Sequence, residues 1–145
     1  MICLKSEREL ETMDRANALV HRVLRAVEET AAPGVSTGEL DELAEGMIRA
    51  AGGTPAFKGY RGCPATLCTS INDVIVHGIP NGKNRLKDGD LVSIDCGVLL
   101  DGYYGDSAVT FGIGRLGDEA RQLMDITRRC LLDAVGAVRP EGRLG

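Results

Sequence analysis

The strongest constraint on the fold of this 145-residue chain is the dipeptide Asp101-Gly102, set between LVSIDCGVLL and YYGDSAVTFG. Both flanks are strand-like, and Asp-Gly between such runs favours a type I′ hairpin turn, which needs φ > 0 at both central residues. A turn there pairs Leu100 with Tyr103, Gly97 with Asp106 and Asp95 with Ala108. Side chains alternate faces along a strand, so Asp95 and Gly97 share one face. Asp95 and Asp106 then become diagonal neighbours on it, about 7–8 Å apart at the backbone. Gly97 is expected to leave room beside Asp106. Two carboxylates this close repel unless one is protonated or a cation lies between them. Converging oxygen ligands suit a divalent metal. An acidic pair is also what an ordinary solvated hairpin face presents, so the pair alone leaves both readings open. Cys96 points the other way and is expected in the core.

The rest of the chain must cover one side of this hairpin. Ser6-Glu7-Arg8-Glu9 and Ser36-Thr37-Gly38-Glu39 each fit a capping box. After the first, Leu10, Met13, Ala16, Val20, Val23, Leu24 and Val27 recur at helical spacing, up to Ala31-Ala32 before Pro33-Gly34. His21 lies on this helix as an ordinary helix histidine. After the second, Leu40, Leu43, Met47 and Ile48 give a shorter apolar stripe that Gly52-Gly53 ends. Residues 54–62 read as loop, and residues 66–76 as strand broken at Asn72-Asp73. That places His77 at a strand end, before Gly78-Ile79-Pro80. A third helix is expected over residues 117–139, with Ala120, Leu123, Met124, Thr127, Leu131, Ala134, Val135 and Val138 facing inward. Residues 140–145 read as the run-in to another element.

Composition excludes several classes. With 17 basic and 21 acidic residues, net charge is −4, which gives no case for nucleic acid or an anionic membrane. No apolar run approaches the ~20 residues of a membrane span. MICLKSERELE turns charged at once and carries no signal-peptide core. Five cysteines without a disulfide-framework spacing suit a reducing cytosol, hence a cytoplasmic location. Cys63 and Cys68, with no second pair, make a poor zinc site and read as structural or pocket-lining thiols.

Beyond the acidic pair, three stretches carry a resemblance: SINDVIVHGIP (70–80), KDGDLVSIDCG (87–97) and DGYYGDSAVTF (101–111). They resemble the type I methionine aminopeptidases, in wording closest to bacterial members. The resemblance runs from the first helix to the last residue. It implies an α+β, pita-bread (creatinase/aminopeptidase) fold: two related α/β halves around antiparallel sheet, with a dinuclear metal site between them. This chain would be the first α/β half, an antiparallel sheet with helices on one side. Residues 1–145 would form one peptidase M24-like domain, incomplete at its C-terminal side.

The resemblance also implies roles. Asp95 would chelate one of two divalent ions (Co, Mn, Fe, Zn or Ni), and Asp106 would bridge both. His77 would contact the substrate near the scissile amide and help stabilise the transition state. Tyr60, Cys63 and Cys68 fall where the methionine pocket is lined, and a soft apolar lining suits a thioether. Arg61 and Cys63 depart from the bacterial pattern of histidine and an aromatic. The implied activity is removal of initiator methionine from nascent polypeptides whose second residue is small, by an enzyme that is monomeric at full length and works near the ribosome. One further histidine and two glutamates complete the family's ligand set from its second half. Two aspartates are too few to hold two metals, so the chain taken by itself is expected to be inactive. Two alternatives stand beside the enzyme: a non-catalytic pita-bread binding module, and a proline-directed pita-bread peptidase.

Overall fold

The structure, a computed structural model, describes residues 4–143; Leu144 and Gly145, in the expected run-in, lie outside the described residues. Its elements are α1 (Glu7–Thr30), α2 (Thr37–Ala50), β1 (Thr54–Pro55), β2 (Leu67–Ile71), β3 (Leu91–Leu100), β4 (Tyr103–Gly112) and α3 (Asp118–Ala137). The architecture is α+β. Both expected capping boxes form: the Ser6 and Ser36 hydroxyls accept the N–H of Glu9 and Glu39, whose carboxylates take the N-cap N–H in return.

The hairpin carries the sheet. Asp101 and Gly102 have φ of +50° and +83°, the two positive values a type I′ turn requires. All ten residues of β3 pair with β4, from Leu91↔Gly112 to Leu100↔Tyr103, with Gly97 opposite Asp106 and Asp95 opposite Ala108. The other edge of β3 pairs antiparallel with β2 (Leu67↔Cys96 to Ile71↔Val92) and, further along, with β1 (Thr54↔Leu99).

Val92, Ile94, Cys96 and Val98 point to one side of β3 and are fully buried, together with Leu19, Val20, Val23 and Val27 of α1 and Leu40 and Ile48 of α2. This is the core, and both helices lie on that one side. Gly105 permits the contact, since a Cβ there would sit 2.6 Å from the backbone carbon of Ala16. Any larger residue would push α1 off the sheet. Asp95 and Ser93 alternate with the core residues and point to the opposite, open face.

Four expectations need correction. Leu10 is 53% exposed, and Leu19 takes the buried place on α1 instead, because the helix turns its Leu19–Val27 stripe onto the sheet. Thr54-Pro55 is not loop but a short edge strand. β2 ends at Ile71, so His77 is not at a strand end. Asn72 turns the chain out at φ +53°, its side chain donating to Asp90 Oδ1 (2.9 Å) and accepting from the Leu91 N–H (2.9 Å). Lastly, α3 forms where expected but none of its residues is buried; Leu123, Leu131 and Val135 are 60–63% exposed. No other described element packs extensively along it. Its periodic stripe is real, but nothing among the described residues covers it.

Candidate metal centre

The open face of the hairpin collects the residues that carry chemistry. Asp95 is half-buried in mid-strand, and Asp106, exposed on β4, stands across from Gly97. The register makes the two carboxylates diagonal neighbours on one face. Burial, then the charge of Asp106, pushes the Asp95 carboxyl above its ordinary value, while nearby His77 and the Cys96 backbone draw it down. Asp95 Oδ1 is buried and has no hydrogen-bond partner among the described residues. An orphaned buried carboxylate oxygen is costly, so it points to a ligand. A divalent cation fits: it would satisfy Oδ1 and cancel the repulsion from Asp106. The donor set is partial, since among the described residues no three His, Cys, Asp or Glu side chains converge as a metal-holding group.

His77 reaches this face by a detour. Val76 and His77 adopt φ of +40° and +52°, a left-handed conformation that is strained for a β-branched valine. Gly78 then folds back onto β2: its carbonyl accepts the Thr69 N–H (2.7 Å) and its N–H donates to Ser70 Oγ (3.3 Å). The loop thereby presents His77 exposed, within electrostatic reach of Asp95.

Cys68 is the ladder partner of Asp95, so its thiol shares the open face, yet it is only 8% exposed. Burial and then the neighbouring Asp95 raise its pKa, which keeps it a neutral thiol. Cys63 is half-buried and its Sγ lies 3.6 Å from the Ala65 carbonyl. Tyr60 sits in a short 3₁₀ turn (Tyr60–Gly62), 64% exposed, with the Arg61 guanidinium 5.4 Å from its ring centroid. Asp95, Asp106 and Cys68 thus share the open face with His77 within electrostatic reach of it, whereas Tyr60 stands further into solvent. Cys96 is fully buried in the core, its thiol pushed up to about 12 by burial first.

The residue that sequence reasoning missed is Phe57. A Cβ on Gly97 would lie 2.5 Å from Phe57 Cε1, so the space expected beside Asp106 is filled by this ring. The signal available was scarcity: Phe57 is one of only two phenylalanines in the chain.

The chain is 50% identical over 140 residues to methionine aminopeptidase 1 of Mycobacterium tuberculosis, covering 97% of this chain and 53% of that protein. It thus spans little more than half the length of this curated relative. The crystal structure of methionine aminopeptidase from Rickettsia prowazekii superposes on the whole of this chain with a TM-score of 0.96 at 35% identity; the match takes in 58% of that chain. This identifies the fold as the pita-bread fold over the shared portion. A Xaa-Pro dipeptidase from Bacillus anthracis shares the fold alone, at a TM-score of 0.81 and 20% identity. The model of a metallopeptidase family runs through residues 11–145, across the hairpin, the His77 loop and α3 alike, and the chain belongs to that family: metallopeptidase family M24.

Proposed function

We propose that this chain supplies the Asp95, Asp106 and His77 side of a methionyl aminopeptidase that removes the N-terminal methionine from nascent polypeptides with a small second residue. The observation that carries the reading is the buried, unpartnered Oδ1 of Asp95, diagonal to Asp106 in a family M24 chain. Relatives called methionine aminopeptidase, at 50% identity and below, support the substrate.

In this reading Asp95 and Asp106 hold divalent metal, with two ions as the proposed number. The remaining donors come from polypeptide outside this chain. Bound divalent ions supply Lewis acidity and a low water pKa at neutral pH. The chain's own residues do the rest. Asp95, backed by the sheet, fixes the direction of its oxygens. His77, held out by the folded-back Gly78, is free to donate to the substrate near its first peptide bond. Cys68 offers a neutral thiol and half-buried Cys63 a second sulfur, with Tyr60 at the outer margin, to a thioether side chain, a soft and weakly polar match. Nascent chain ends at the ribosome in the cytoplasm, met by a monomeric enzyme, are the setting that this activity implies.

The test has two parts. Calorimetric titration of Mn²⁺ into the metal-stripped chain should give heat that Asp95→Ala abolishes. Fusion of the chain to the C-terminal portion of the Mycobacterium tuberculosis relative should give Mn²⁺- or Co²⁺-dependent release of methionine from Met-Ala-Ser. A soluble fusion with no metal-dependent release would overturn the reading.

A further inference from the structure

Two acidic residues of α2 hold the loop that leads from Phe57 to β2. Asp41 and Glu45 are four apart and so lie on one side of the helix. Asp41 Oδ1 accepts two backbone N–H groups, from Thr66 (3.0 Å) and Leu67 (2.7 Å). Glu45 Oε2 accepts from Lys58 Nζ (2.6 Å) and, more weakly, from Thr66 Oγ1 (3.5 Å). These are the two ends of the segment 56–66. One anchor is adjacent to Phe57, whose ring lies over Gly97. The other immediately precedes Cys68, the ladder partner of Asp95.

The arrangement is an expensive way to hold a loop. Burial raises the Asp41 carboxyl above its ordinary value despite its two N–H donors. An apolar contact could fasten helix to sheet without that cost. What a carboxylate adds is direction: two N–H groups bonded to a single oxygen fix where β2 begins relative to α2. The sheet's open face is exposed at Asp106, yet Cys68 beside Asp95 is nearly sealed. On that side Ala56 and Phe57, at the start of the 56–66 segment, lie against Gly97.

We propose that Asp41 and Glu45 are positioning residues that set, from α2, how closely Phe57 and the start of β2 are held at the Asp95–Asp106 face, and so how accessible Cys68 is there. This rests on the aminopeptidase reading only for which side chain meets that face. The clasp itself is tested without activity.

The chain carries its own controls for native-state alkylation by iodoacetamide, read by mass spectrometry at each cysteine. Cys130 is exposed and reports the reagent; Cys96, fully buried in the core, reports global unfolding. In Lys58→Ala and Asp41→Ala the Cys68 rate should rise roughly tenfold, the factor that a lost charge-assisted hydrogen bond gives a local opening equilibrium. Cys96 should stay protected. Asp41→Asn keeps an acceptor oxygen and should restore most of the Cys68 protection. Lys58→Ala and Glu45→Gln alter the half-exposed end of the clasp and carry the test if Asp41→Ala does not fold. An unchanged Cys68 rate in these folded variants, or Cys68 and Cys96 rising together, would overturn the proposal. Mn²⁺ titration of the same samples separates the two ideas: absent heat from the wild-type chain counts against the metal reading and leaves the alkylation result standing.

Discussion

Phe57 lies against Gly97, two residues along β3 from Asp95 on the same face, at a place where no other residue type could stand without moving the ring. Gly97→Ala should therefore destabilise by about 1–3 kcal/mol, the usual cost of overpacking. Phe57→Ala should remove most of that penalty. Urea unfolding of the two single variants and the double variant measures the coupling, and additive effects would show that the ring does not depend on the glycine.

Metal should act on stability through Asp95 and Asp106 together. Mn²⁺ at about a hundred times its dissociation constant should stabilise the wild-type chain by about 2.7 kcal/mol. Asp95→Asn and Asp106→Asn should each remove the response. Without metal, Asp95→Asn should be no less stable than wild type, because it deletes a half-buried charge that Asp106 repels. Thermal melts with chelator and with Mn²⁺ check both halves of the expectation.

Acid should weaken the join between α1 and the hairpin. The Ser6 backbone and hydroxyl, then the Tyr103 hydroxyl, donate to Glu9 and hold its carboxyl at about 2 instead of the ordinary 4.5. A depressed carboxyl contributes stability above its unfolded pKa and loses it as pH falls through the folded one. Melting midpoints of wild type and Glu9→Gln should differ above pH 4.5 and converge towards pH 2. Tyr103→Phe should show a smaller version of the same difference.

Substitutions on α3 should be nearly silent in this chain. Leu131→Glu replaces a side chain that is 63% exposed and should change stability by no more than about 0.5 kcal/mol. Leu40→Ala, fully buried beneath the sheet, should cost about 2–5 kcal/mol. Parallel denaturant titrations of the two variants give the contrast, and a large loss from Leu131→Glu would show that α3 is packed in solution.

Local signals in the sequence were reliable wherever the physics is local. Asp101-Gly102 forces its own turn, and the turn fixes the β3–β4 register down to Gly97↔Asp106. The two Ser-x-x-Glu boxes start their helices where the pattern places them. What escaped depends on distant partners. Val74–Val76 has strand chemistry but finds no strand to pair with, since Asn72 is drawn away by Asp90 and Leu91. Phe57 and Gly97 are forty residues apart and meet only after β1 docks on β3. The stripe on α3 predicted a buried face, and nothing among the described residues covers it. The grouping of Asp95 with Asp106 was legible because one short turn carries both; Asp41 and Glu45 were not, because their partners belong to another segment.

Strand β3 gives alternate positions to separate duties, its even-numbered residues from Val92 to Val98 locked among the helices and its odd-numbered Ser93 and Asp95 turned outward. A mutational scan along it would beat in twos, with thermal tolerance failing at one position and ligand response at the next. Evolution could retune the reactive side here residue by residue while leaving the scaffold's resilience almost untouched.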